Sequence, residues 1–177
     1  MKKTATLILL LMAFMLPLAK AQTTQTAHIA YGNTTNQFIP LCGDYADEYQ
    51  RTQFIYPASM LTALVGKEIK KIEFVAYRIY GNYGSTTENA DYGSGWRLKL
   101  GICENSTFSS TTFDATTVTT QVYSGSLRAN SSKVTITFST PFFYTGGNLL
   151  VDLRNENGNG ERKETQFYGT GPSNAAI

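Results

Sequence analysis

Histidine is almost missing from this chain: His28 is the only one in 177 residues. One imidazole cannot be a general base and a member of a metal cluster at once, so histidine-based catalysis has little to work with. A serine or cysteine nucleophile paired with His28 is one arrangement. A solvent-facing histidine in the alternating run Ala27-His28-Ile29-Ala30-Tyr31 is the favoured one. There is no G-x-S-x-G, no H-E-x-x-H and no phosphate-cradling glycine motif, and zinc and most transition metals find no ligand set.

Cysteine is as scarce. Cys42 and Cys103 are the only two, which excludes the dense disulfide framework of small secreted domains. One bridge between them would close 61 positions and contribute about 4 kcal/mol in the chain-entropy model. Cys103 falls in register with Arg97 and Lys99 on the polar side of an expected strand, so paired and unpaired thiols stand as equal readings.

A long apolar run occurs only at the N-terminus. Met1, Lys2 and Lys3 precede an apolar stretch from Ala5 to Leu18, closed by Ala19-Lys20-Ala21 before Gln22. A charged start, a short apolar core and a small-x-small end are the parts of a signal peptide over residues 1–21. The core is shorter than the roughly 20 residues of a spanning helix, and no later segment approaches that length. The chain is therefore expected to be exported but not membrane-spanning. Gln22 offers no thiol for lipidation.

An excess of basic charge is missing too. Without Lys2, Lys3 and Lys20, the 15 basic residues become 12 against 13 acids, a formal charge of −1 over residues 22–177. Nucleic-acid binding wants clustered Lys and Arg, and only Arg162-Lys163 and scattered others are present, so no nucleic-acid partner is expected.

What the chain has is alternation with a period of two. Ile72, Phe74 and Ala76 alternate with Glu73, Val75 and Tyr77. Trp96, Leu98, Leu100 and Ile102 alternate with Arg97 and Lys99. Val134, Ile136 and Phe138 alternate with a lysine, threonines and a serine. Each pattern reads as a half-buried strand, over 71–79, 96–102 and 133–139. Weaker strands are expected at 27–31, 37–41, 52–56, 118–123, 148–154 and 164–168, about nine in all. One short helix is expected over 58–64, started by Pro57 and stopped by Gly66.

Short strands without alternating helices imply an all-β domain over residues 22–177, a two-sheet antiparallel β-sandwich of jelly-roll type. An immunoglobulin-like sandwich is the alternative, though the Cys-Trp-Cys order it wants is absent. Residues 82–95 read as a long polar loop, and the chain stops soon after a strand, as a truncated copy of a longer polypeptide would.

Carboxylate pairs are the remaining catalytic option, because a glycosidase needs two and little else. Asp44, Asp47 and Glu48, and Glu88 with Asp91, are the candidates, and solvated loop acids are the simpler reading. Residues 155–160 imitate the oxygen spacing of a calcium loop, but Asn155 and Gln166 stand where charged ligands are wanted, so a hairpin turn joining 149–154 to 164–168 is expected. No cofactor is expected, with a structural calcium ion on loop carbonyls and Asp44 or Asp47 left open.

Eleven tyrosines are the most suggestive feature. Tyr77, Tyr80, Tyr83, Tyr92 and Trp96 gather around the polar loop, and Tyr45 and Tyr49 sit among acids. Such rings stack on sugars or anchor protein contacts, and they also cap sheet edges.

The runs Gly43-Asp-Tyr-Ala-Asp-Glu-Tyr49, Gln53-Phe-Ile-Tyr-Pro-Ala-Ser59, Lys70-Lys-Ile-Glu-Phe74, Val122-Tyr-Ser-Gly-Ser126, Pro141 to Tyr144 with Gly146-Gly-Asn-Leu-Leu-Val151, and Gln166-Phe-Tyr-Gly169 follow one another in order over nearly all of residues 28–170. Together they resemble the recurrent N-terminal β-sandwich module of large secreted and surface, adhesin-like proteins of Bacteroides-like and Porphyromonas-like bacteria. The resemblance implies a non-catalytic module for adhesion or glycan handling, often followed by fibronectin-like, lectin-like or sorting domains. This chain departs from that pattern by ending soon after Gly171 and by carrying Cys42 and Cys103.

The expectation is thus a secreted or cell-surface binding module that is not an enzyme. It would contact a polysaccharide or a host or cell-surface protein through Tyr80, Tyr83, Asp91 and Tyr92, with Asp44, Tyr45 and Tyr49 as further candidates. A structural spacer and a carboxylate-dependent glycosidase are its rivals.

Overall fold

The structure, a computed structural model, describes residues 26–27, 34–41, 49–80, 85–157 and 164–169. The signal peptide, most of the strand expected at 27–31 with His28, Cys42, Asp44, Tyr45, Asp47, Glu48 and Tyr83 lie outside the described residues.

Among the described residues, eleven strands form two antiparallel sheets. They are β1 (Thr34–Asn36), β2 (Gln50–Tyr56), β3 (Lys67–Tyr80), β4 (Thr86–Thr87), β5 (Ala90–Asp91), β6 (Trp96–Cys103), β7 (Thr120–Gly125), β8 (Arg128–Asn130), β9 (Lys133–Tyr144), β10 (Asn148–Asn155) and β11 (Thr165–Gly169). The larger sheet has the order β1-β11-β3-β9-β8-β5, with β4 added beside β3, and the smaller has the order β2-β10-β6-β7. The protein is an all-β sandwich.

Alternation explains the layer between the sheets. Phe74 and Ala76 of β3, Val134, Ile136 and Phe138 of β9 and Phe167 of β11 meet Phe54 of β2, Trp96, Leu98 and Leu100 of β6, and Leu149, Val151 and Leu153 of β10 in one buried cluster. Each Val, Leu, Ile or Phe among them contributes about 1.5–3 kcal/mol by leaving water, and Ala76 less. Pro141 is tolerated in β9 because the pairing with β3 jumps from Ile69↔Phe142 to Lys71↔Thr137. Pro141 therefore has no partner in the ladder, and its missing N–H costs nothing there.

Four expectations are corrected. Residues 37–41 are bends rather than a strand, because Asn36 Oδ1 accepts the N–H groups of Phe38 and Ile39 at 2.6 and 3.2 Å and turns the chain at once. The helix expected over 58–64 is two separate 3-10 turns, Ala58–Met60 and Thr62–Leu64, divided where Leu61 drops into the core. The polar loop 82–95 contains β4 and β5 and sends Ala90 and Tyr92 into the core. β10 and β11 do not form a hairpin: β10 is paired on both sides, by β2 and β6 of the smaller sheet, and β11 joins β3 of the larger one.

The outer face of the smaller sheet is partly roofed by residues 104–119. Val118 and Phe108 pack over Ile55 and Leu150. Gln53, fully buried, donates from Nε2 to the Asp114 carbonyl at 2.7 Å and to Asp152 Oδ2 at 2.6 Å, and accepts the Asp114 N–H at 2.8 Å. Gly101 lets the segment lie directly on the sheet, since a Cβ there would stand 2.0 Å from the Thr117 carbonyl oxygen.

Candidate functional site

The most aromatic part of the surface lies on the outer face of the larger sheet, and a β-bulge builds it. Pairing between β3 and β11 shifts from Arg78↔Gln166 to Ala76↔Phe167, leaving Tyr77 as the extra residue. Strict alternation would turn Arg78 inward after Ala76. The bulge lets Tyr77 and Arg78 both face solvent and passes the inward position to Ile79, which is buried.

Two tyrosines flank that arginine, and a third extends the cluster. Tyr77 is 47 % exposed and meets Tyr168 of β11, 39 % exposed, edge to face at 5.4 Å between ring centres. The Arg78 guanidinium lies 5.4 Å from the Tyr77 ring centre and 5.5 Å from that of Tyr80, and donates to the Tyr80 hydroxyl at 3.1 Å. That hydrogen bond, then the charge interactions with Tyr80 and Tyr77, raise Arg78 above its ordinary value. Beside the cluster, Thr86, Thr87, Glu88 and Ser132 wall a depression floored by β3.

The wall is held in an unusual backbone conformation. Ser131 and Ser132 form the two-residue turn between β8 and β9 with φ of 49° and 60°, where glycine or asparagine is the usual occupant. Ser132 N–H donates to the Glu88 carbonyl at 2.8 Å, Ser131 N–H to Asn89 Oδ1 at 3.2 Å, and the Ser132 carbonyl accepts Ala76 N–H at 2.8 Å. These bonds hold a turn that serines alone do not favour, and strained backbone of this kind clusters at binding sites.

Of the residues singled out in the sequence, Tyr80 belongs to this cluster. Tyr92 does not: it is fully buried, its hydroxyl meets Thr165 Oγ1 at 2.8 Å, and its carbonyl accepts Trp96 Nε1–H at 2.8 Å. Burial pushes its phenol up to about 12, against the pull of the Thr165 bond. Asp91 is spent on structure, accepting the Gly93 N–H at 2.8 Å and pairing with Arg128 at 2.8 Å. Tyr49 stands on the other sheet, 76 % exposed. Cys103 is a free, half-buried thiol. Its pKa is raised by burial first and by the Asp114 charge second.

Tyr168 and Arg78 escaped sequence reasoning because only the bulge and the pairing of β3 with β11 bring them together. Among the described residues no group of three His, Cys, Asp or Glu side chains converges on a metal position, and no helix is long and apolar enough to cross a membrane. Flat rings around a fixed guanidinium, with hydroxyls and carbonyls alongside, can stack on a sugar ring or an aromatic side chain and donate to its oxygens. No protein family, curated protein or solved structure matches the chain.

Proposed function

We propose that this protein is a secreted or cell-surface binding module, not an enzyme, that holds a glycan or a protein through the face formed by Tyr77, Arg78, Tyr80 and Tyr168. The observation that carries the reading is the bulge: it sets Tyr77, Arg78 and Tyr80 on the outside, where a regular strand would turn Arg78 and Tyr80 inward. Exposed tyrosines lose little conformational freedom when they bind, and aromatic and arginine side chains dominate contact energies. The signal-peptide pattern supports export, and the likeness to adhesin-like modules supports adhesion over catalysis.

The test is a glycan array and a pull-down of surface proteins with the wild-type chain, repeated with Tyr77→Ala/Tyr168→Ala. Loss of both rings is expected to weaken the selected ligand at least about tenfold, since an interface anchor is worth about 2 kcal/mol or more. Undiminished binding by a double variant that melts like the wild type would refute the assignment of this face.

A further inference from the structure

We propose that the outer face of the smaller sheet carries a second binding site, for an anionic polysaccharide, built on Arg51, Arg154 and Arg97. Arg154 pairs in register with Arg51 of β2 on one side and Arg97 of β6 on the other, so the three stand in a row across neighbouring strands. Strand spacing puts them about 4.8 Å apart at the backbone. Like charges so placed repel, and the row persists only with anions beside it.

The chain supplies fewer anions than the row can use. Arg51 donates from Nε, at 2.9 Å, and from Nη2 to Asp152 Oδ2. Glu156 accepts from Arg97 Nε at 2.7 Å and pairs with Arg154 Nη2 at 2.8 Å. With Lys99 on the same face, four cations meet two carboxylates. Each guanidinium has five donors, the two carboxylates engage only some of them, and the side chains of Arg51, Arg97 and Arg154 remain 29 %, 43 % and 32 % exposed. The face attracts negative charge and has accessible N–H groups left to bind it.

The shape favours a polymer over a small ion. Arg51, Arg154 and Glu156 line an open, shallow depression rather than an enclosed pocket, and Tyr49 stands at its edge with most of its ring in solvent. Guanidinium forks suit sulfate and carboxylate oxygens, and an exposed tyrosine ring suits the apolar side of a sugar. Arg51 is also held from behind, its guanidinium 4.5 Å from the Phe113 ring centre. This site shares no residue with the aromatic face, so either can fail without the other.

The purified full chain is to be tested against immobilised dextran sulfate and polygalacturonate, with neutral dextran and poly-glutamate as references. Binding to at least one of the two charged glycans, none to dextran, and weakening with salt are expected. Arg97→Gln/Arg154→Gln should weaken it about tenfold or more. Lys99→Glu, which leaves both Glu156 pairs in place, should weaken it in the same direction, while Lys70→Gln/Lys71→Gln on the other sheet should not. Failure to retain either charged glycan, equal retention of poly-glutamate, or equal weakening by the Lys70/Lys71 pair would overturn the proposal.

Discussion

Gln53→Met tests what holds the roof on the smaller sheet. Its side chain makes three hydrogen bonds from a fully buried position, two to the Asp114 backbone and one to the Asp152 carboxylate. A neutral bond contributes about 1 kcal/mol and a bond to a charged group about 1.5–3, so removing all three while keeping the volume should cost about 3 to 5 kcal/mol. That is a large share of the 5–15 kcal/mol typical of a domain. Trp96, the only tryptophan and fully buried, reports unfolding by fluorescence in a urea titration. If segment 104–119 lifts in the variant's native state, the midpoint should fall and so should the slope, because less surface remains to be exposed. Chymotrypsin should then cut sooner at Phe108 and Phe113. A loss below about 1 kcal/mol with an unchanged slope would show that the roof does not depend on Gln53.

Gly101→Ala should unfold at lower urea by about 3 kcal/mol, because the new methyl meets a backbone carbonyl that no rotamer change can move aside; a wild-type midpoint would refute the contact. Tyr92→Phe should cost about 1 kcal/mol at neutral pH through the lost bond to Thr165. It should also flatten the alkaline limb of a stability profile. The phenol titrates near 10 when unfolded and near 12 when folded, so its contribution is full below pH 10 and lost as pH rises to about 12. Asp114→Asn should change the acid limb instead. The Thr117 hydroxyl and N–H, with those of Thr116, hold that carboxylate at about 2 against an ordinary 3.8. Its contribution is present above pH 3.8 and lost as pH falls to about 2. The difference in urea midpoint between wild type and variant should therefore shrink across that interval, and a constant difference would refute the assignment.

How far the sequence could be read depended on how local the deciding interaction is. The inward faces of β6 and β9 follow from side-chain alternation, and Trp96, Leu98, Leu100, Val134 and Ile136 are buried where it puts them, while Ile102 at the end of β6 is exposed. β10 breaks the rule, since Leu149 through Leu153 are buried without interruption. One face of that strand packs in the core and the other lies under segment 104–119, and nothing in Leu149-Leu-Val-Asp-Leu153 announces the roof. Tyr92 departs from its expected place for a related reason: the glycines, serines and asparagines around it mark a loop, yet its hydroxyl bonds that of Thr165, 73 positions away. The exposed aromatics of the candidate site were legible only in part. Tyr80 was found near the polar loop, but Arg78 and Tyr168 depend on a shift in pairing that no single-strand pattern encodes.

The two outer faces have solved the same problem differently, and the solutions separate their chemistry. A sheet face left open to water must be polar to avoid pairing with other chains. The larger sheet meets this with a charge ladder, Lys71 and Lys133 around Glu73. Burial would raise the Glu73 carboxyl, but the Thr135 hydroxyl and Lys133 together leave it lowered. That ladder ends near where the bulge begins, so the aromatic cluster occupies the end of β3 that lies beyond its last pair with β9, Val75↔Lys133. The smaller sheet instead covers Ile55 and Leu150 with a segment of its own chain, and the cover is pinned to Gln53. The arginine row is the next step along the same strands, two residues from Gln53 and Asp152. A ligand on the row would lie at the margin of the roof. Binding there and docking of residues 104–119 would be coupled through the Arg51 bond to Asp152.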